Sequence, residues 1–214
     1  MKKGVKIPSY TLGEELVNSI SHGIGGALSI AALVLLLVKS NIAKEYLCSL
    51  AFGIAMIILY IMSTMYHALS SKVKGKKVFR ILDHCSVYLL VLGTYTPIAL
   101  LAVGETKGWI LFGIVSIVTT IGIITTIVNI DKYQVLSVIC HLINGWSIII
   151  VIKTLFNNIG TPGVIFLIIG GLLYTIGALL YAVGTKKKYM HSVFHFFCIA
   201  GTIFHFFTIY LYIL

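Results

Sequence analysis

The chain has 214 residues, 59% of them hydrophobic and only 10% charged, with a mean hydropathy of +1.05 and a formal net charge of +10. That composition excludes a water-soluble domain and indicates a polytopic membrane protein. The positive charge is a topology signal with generic attraction to anionic headgroups; it does not indicate nucleic-acid binding.

Seven apolar stretches are each close to the roughly 20 residues that span a bilayer. They lie near 15–38, 46–69, 81–103, 109–128, 134–154, 162–184 and 190–214. They predict an all-α, seven-transmembrane helix bundle forming a single domain over residues 1–214, with short loops and no separate soluble domain. Uninterrupted apolar runs such as Ile110 to Val128 lack the period-2 alternation of a membrane β-barrel. The basic start MKKGVK precedes a full-length apolar run with no small-residue cleavage site, so it is expected to be retained beside the first span rather than removed with a signal peptide. Lys2, Lys3, Lys6, Lys72, Lys74, Lys76, Lys77, Arg80, Lys132, Lys186, Lys187 and Lys188 fall on one side, and Lys39, Lys44, Lys107 and Lys153 on the other. The positive-inside rule then predicts a cytoplasmic N-terminus, an extracytoplasmic C-terminus and residence in the inner (plasma) membrane. Cys48, Cys85, Cys140 and Cys198 are scattered singly through the spans and read as small apolar packing residues.

Polar residues inside the spans are costly, so their depth is informative. In the first span Glu15, Asn18, Ser19 and His22 share one face at i, i+3, i+4 and i+7. Near the end of the second, Ser63 and His67 form SxxxH, and the third begins with Arg80, Asp83 and His84. His141 lies in the inner half of the fifth. His191 and His195 open the seventh, about 6 Å apart along a helix axis and on one face. Six of the seven histidines therefore fall in the cytoplasmic half; His205, about 15 Å beyond His195, does not.

Two imidazoles on one intramembrane face suit a shared divalent metal, and His67 reaches the same depth as a third ligand. Three histidines with an open fourth position form the catalytic rather than the structural zinc pattern. The motif is HxxxH without the glutamate of HExxH, so a general base must come from elsewhere. Asp83 is the candidate, with Ser63 donating to a developing oxyanion. His84, about 100° around the helix from Asp83, reads as a supporting or interfacial group. Glu15, Asn18 and His22 could close the site from the first span; Glu14 and Glu15 are otherwise a charged helix start favoured by the N-terminal dipole. Asp83 is otherwise a salt-bridge partner of Arg80 or a lysine, and His141 and His205 read as isolated core or interfacial histidines.

Taken together, ExxNxxxH (Glu15, Asn18, His22), SxxxH (Ser63, His67), RxLDH (Arg80, Asp83, His84) and HxxxH (His191, His195) resemble the haemolysin III family, the bacterial branch of the progestin and adiponectin receptor (PAQR) superfamily. The likeness runs from Glu14 to about Phe206. It implies zinc held by His67, His191 and His195, with Asp83 near the metal water and Ser63 near the site. It also implies kinship with membrane alkaline ceramidases, which are zinc amidases. The bacterial members are named for haemolysis, read as pore formation.

A single-chain pore needs a polar path across the membrane, yet the outer halves of these spans are nearly all apolar. A receptor needs an outer binding surface, and the outer loops are short. A metal-dependent hydrolase of a lipid amide or ester, with a membrane lipid as substrate and its site in the cytoplasmic half, fits the one-sided polarity best. A pore-forming haemolysin and a non-catalytic metal-containing sensor are the alternatives. No residue pattern points to a protein partner.

Overall fold

The structure is a computed structural model describing residues 5–183 and 187–214, and among these it is all-helical. Lys2, Lys3 and Lys186, counted above as inner-side charges, lie outside the described residues. Six helical stretches are long and apolar enough to cross a bilayer.

The first helix, α1, spans Leu12–Lys39, starting three residues before the expected boundary. The cause is a capping box. The Thr11 amide donates to Glu14 Oε2 at 2.8 Å and the Glu14 amide to Thr11 Oγ1 at 3.3 Å, satisfying two amides that a helix start leaves free. Its polar and small residues face inward: Asn18, Ser21, His22, Gly25, Gly26 and Ser29 are buried, while Leu16, Ile20, Ile24 and Leu28 point outward. This inversion of the soluble pattern is what lipid as solvent demands, with small residues admitting close helix approach and large apolar ones left to the hydrocarbon.

Helix α2 spans Ala43–Ala68 and α3 spans Gly75–Pro97. The latter starts six residues before the expected 81, because Lys76 is drawn into the bundle rather than left in an inner loop. Its side chain is 1% exposed, and its ammonium donates to Glu15 Oε1 at 2.5 Å and to the Leu69 carbonyl at 2.7 Å. Pro97 cannot donate to the helix ladder, and the chain beyond it widens into a π turn, Ile98–Val103, ending at Gly104 with φ +66°. Helix α4 spans Glu105–Asn129.

Helix α5, Gln134–Trp146, runs through a 3-10 turn at Ser147–Val151 into α6, Ile152–Val183. The sequence predicts a gap between 154 and 162; the structure instead has a break at Gly160, with φ +66° and ψ 173°, followed by Pro162. Only glycine adopts that backbone without strain, and a proline just after a break starts a new helix. Helix α7 spans Met190–Thr208 and ends in a second π turn, Ile209–Ile213.

Two apolar clusters fill the interior. One packs Leu36, Phe52, Met56, Leu59, Tyr60, Leu90 and Ile209, from α1, α2, α3 and the end of α7. The other joins the end of α3 and its π turn to α4, the 3-10 turn and α6 through residues such as Tyr95, Ile98, Val115, Leu155 and Val164. Helix α7 packs on both α6 and α1, which brings its first turn beside the start of α1 and the end of α2.

Candidate metal centre

At that junction the imidazoles of His67, His191 and His195 converge. One ring nitrogen from each lies within 4.8 Å of the other two. His191 Nε2 is 3.1 Å from His67 Nε2 and 3.0 Å from His195 Nε2. A single proton on His191 Nε2 cannot serve both contacts well, since each neighbouring Nε2 needs its own. Three convergent lone pairs are what a tetrahedral zinc requires: bonds of 2.0–2.1 Å put ligand nitrogens roughly 3.3 Å apart. The donor set, its spacing and its burial therefore fit the ion.

The His67 ring is oriented from outside the triad. Its Nδ1–H donates to Glu15 Oε2 at 2.6 Å, which directs the Nε2 lone pair at the other two histidines. Carboxylate–histidine pairs of this kind fix the tautomer and raise the basicity of metal ligands. Asn18 Nδ2 is 3.4 Å from the same Nδ1, a weaker contact that the Glu15 bond overrides. Asn18 Oδ1 accepts from Ser192 Oγ at 2.6 Å, tying α1 to α7 one residue past the first histidine of HxxxH. His22 lies flat against His195, with ring centroids 3.6 Å apart and planes 13° from parallel.

A cavity of about 190 Å³ opens from this cluster. His191, His195, His22, Ser63, Asp83 and His84 line one part of it. From there it follows α3 past Val87, Leu90, Val91 and Thr94 to Ile98, and α7 past Cys198 to His205. Asp83 to Ile98 is about 22 Å of helix. The wall is overwhelmingly apolar along that length. His205, at the far end, is held through Nε2 to the Leu167 carbonyl at 3.3 Å.

The structure thus brings His22, Ser63, Asp83 and His84 to the cavity beside His191 and His195, with Glu15 and Asn18 against His67. Ser63 is fully buried and lines the cavity beside Asp83. Asp83 is 7% exposed, with His84 Nδ1 at 3.5 Å from its Oδ2. His84 also donates to the Arg80 carbonyl at 2.9 Å. Arg80 pairs not with Asp83 but with Asp131, at 2.8 Å, across the turn between α4 and α5. His141 and His205 stand apart from the triad, His141 stacked on Tyr88 at 3.9 Å.

Three participants were not read from the sequence. Lys76 sat in the basic run KGKK and resembled a topology charge. Ser192 gave no signal beyond its place inside HSVFH. Tyr10 precedes the first span altogether, yet its ring lies 5.2 Å from that of His191 and 5.7 Å from that of His67. Burial pushes its phenol well above the usual tyrosine range, so it is neutral.

Comparison with known families gives a match to the model described as "Haemolysin-III related" over residues 10–206. The chain belongs to that family. Its relatives include Hemolysin-3 of Bacillus cereus, 37% identical over 204 residues (94% of this chain, 92% of the relative), and the Hemolysin-3 homolog of Bacillus subtilis (strain 168), 35% identical over 206 residues (95% and 96%). The human monocyte to macrophage differentiation factor is 24% identical over 214 residues, covering 95% of this chain and 86% of its own length. That likeness to an animal protein supports placing this haemolysin III chain in the PAQR superfamily. Family membership and six apolar helices make it a multi-pass protein of the inner membrane.

Proposed function

We propose that this haemolysin III member is a zinc protein that hydrolyses a lipid amide or ester in the manner of a ceramidase. The observation that carries the reading is the convergence of three imidazoles at one end of a long apolar cavity whose wall also holds Asp83 and Ser63. His67, His191 and His195 hold the ion, which when bound supplies Lewis acidity and lowers the pKa of water to near 7. The apolar cavity takes the lipid chain and places its carbonyl beside the histidines. Asp83 accepts the proton of the attacking water and returns it to the departing amine or alcohol as its bond to the carbonyl carbon breaks, and Ser63 Oγ donates to the carbonyl oxygen as charge develops there. His84 and Glu15 hold Asp83 and His67 in orientation.

The same reading takes Gln134–Ala182 as two spans. Its 49 residues would reach about 73 Å as one helix, more than twice a hydrocarbon core, and the Gly160 break divides it. Seven spans with the N-terminus cytoplasmic and the C-terminus outside then agree with the split of basic residues, and the centre faces the cytoplasmic half.

The names of the Bacillus relatives favour a second reading, cytolysis by pore formation. The test is turnover of lipid amides and esters by the purified protein in mixed micelles, alongside elemental analysis. Near-stoichiometric zinc and turnover, both lost in His195→Ala, support the hydrolase. Vesicle leakage without turnover, retained in His195→Ala, would overturn it in favour of the pore. Zinc without turnover or leakage would leave a metal-containing sensor.

A further inference from the structure

Metal-ligating histidines normally donate their second ring N–H to an acceptor, and this fixes the rotation of the ring. His67 does so through Glu15. The Nδ1 atoms of His191 and His195 are buried and meet no hydrogen-bond partner in the protein. Each ring is instead held by a face. His22 backs His195 with planes 13° apart, and Tyr10 covers His191 with planes 22° apart. The other aromatic rings against His191, Tyr181 and Phe194, meet it at 56° and 38° and are less parallel.

Tyr10 is not on a helix. It ends the arm that precedes the Thr11 cap, and the arm is pinned on both sides of it. On the far side the Lys6 carbonyl accepts from Arg80 Nη1 at 2.7 Å, and the Lys6 amide donates to Asp131 Oδ2 at 3.0 Å. The Arg80–Asp131 ion pair joins those two points into one clasp. On the near side the Thr11–Glu14 box fixes the chain to α1.

We infer that Tyr10 is a positioning residue of the histidine centre: its ring sets the rotation of His191 where a hydrogen bond usually would, and the Arg80–Asp131 clasp holds it there. The inference rests on reading the three histidines as a metal site. Removing the ring frees His191 to turn about its side-chain bonds, and an aromatic stack of this kind is worth about 3–10-fold in an equilibrium. Asp131, remote from the ligands, acts in the same direction through the arm.

The test is cobalt(II) titration of the full-length, metal-stripped protein in detergent, following the visible d–d bands. Tyr10→Leu should bind cobalt about 3–10-fold more weakly with shifted bands. Tyr10→Phe should restore both affinity and spectrum, and Asp131→Asn should weaken binding with the ligand set intact. Wild-type affinity and bands in Tyr10→Leu would overturn the inference, as would equal weakening in Tyr10→Phe, which keeps the ring. A wild-type protein that takes up neither cobalt nor zinc would overturn the metal reading itself, a result distinct from any Tyr10 effect.

Discussion

Glu15→Gln separates two duties that one carboxylate performs. Oε2 accepts from His67 Nδ1 at 2.6 Å and Oε1 from Lys76 Nζ at 2.5 Å. Loss of a ligand's carboxylate partner costs about 10–100-fold in metal affinity, or about 1.4–2.8 kcal/mol. Independently, the substitution strands the buried Lys76 ammonium. Unpairing a buried ion costs about 3–5 kcal/mol; the lower end applies here, because Glu15 keeps 17% side-chain exposure and Lys76 keeps the Leu69 carbonyl. With the soluble-domain scaling, about 3 kcal/mol at this size lowers the melting temperature by about 6–12 °C. Metal affinity is read by competition with a chromophoric chelator, and stability by thermal unfolding in detergent. Adding Lys76→Met to Glu15→Gln removes the stranded charge, so most of the stability should return while affinity stays low. Unchanged affinity in Glu15→Gln would refute the orienting role. Affinity restored together with stability in the double variant would show that the metal effect was only indirect.

Asp83→Asn keeps the side-chain shape and removes the base; zinc content should persist while lipid hydrolysis falls about 100-fold or more, whereas loss of the metal would make Asp83 a direct ligand. An enzyme reporter fused after Leu214 should be active only as an extracytoplasmic reporter, and cytoplasmic activity would remove the seven-span reading. The Asp131 clasp sets a pH window. Burial alone would raise this carboxyl, but the Lys6 amide and the Arg80 guanidinium outweigh it and hold it below the ordinary range. A depressed folded pKa gives stability that is fully present above the unfolded value, about 3.9, and lost as pH falls through the folded one. The melting-temperature gap between wild type and Asp131→Asn should therefore be flat from neutral pH to about pH 5 and close below about pH 4; a gap that closes between pH 6 and 7 would contradict this.

The all-helical membrane fold was legible because 20-residue apolar runs have few other physical meanings, and the histidine triad because helical rise converts spacing into depth. His67 could be matched with His191 and His195 with no knowledge of which helices touch. What stayed hidden depended on contacts between elements. Lys76 and Arg80 counted as topology charges, yet both are buried ion-pair partners, since basic residues at a helix start look alike whether they face water or a carboxylate. The early start of α3 follows from the same pairing. The gap expected between 154 and 162 contains the Gly160 break, but the helix before it runs on through Leu155 to Ile159, where the polar Asn157–Asn158 pair mimics a loop. Tyr10 lay outside any periodic pattern.

The histidines of the centre sit far apart along the chain, with His191 following His67 by 124 positions. During synthesis α1, α2 and α3 are complete, with Glu15, Lys76 and His67 in place, well before α7 emerges. The half-built bundle thus carries one oriented imidazole and no chelate. On the proposed zinc reading, full metal affinity would arrive only with the last helix. The order of translation would then keep the growing chain without a complete chelate, and capture of the ion would tie the last helix to the first two.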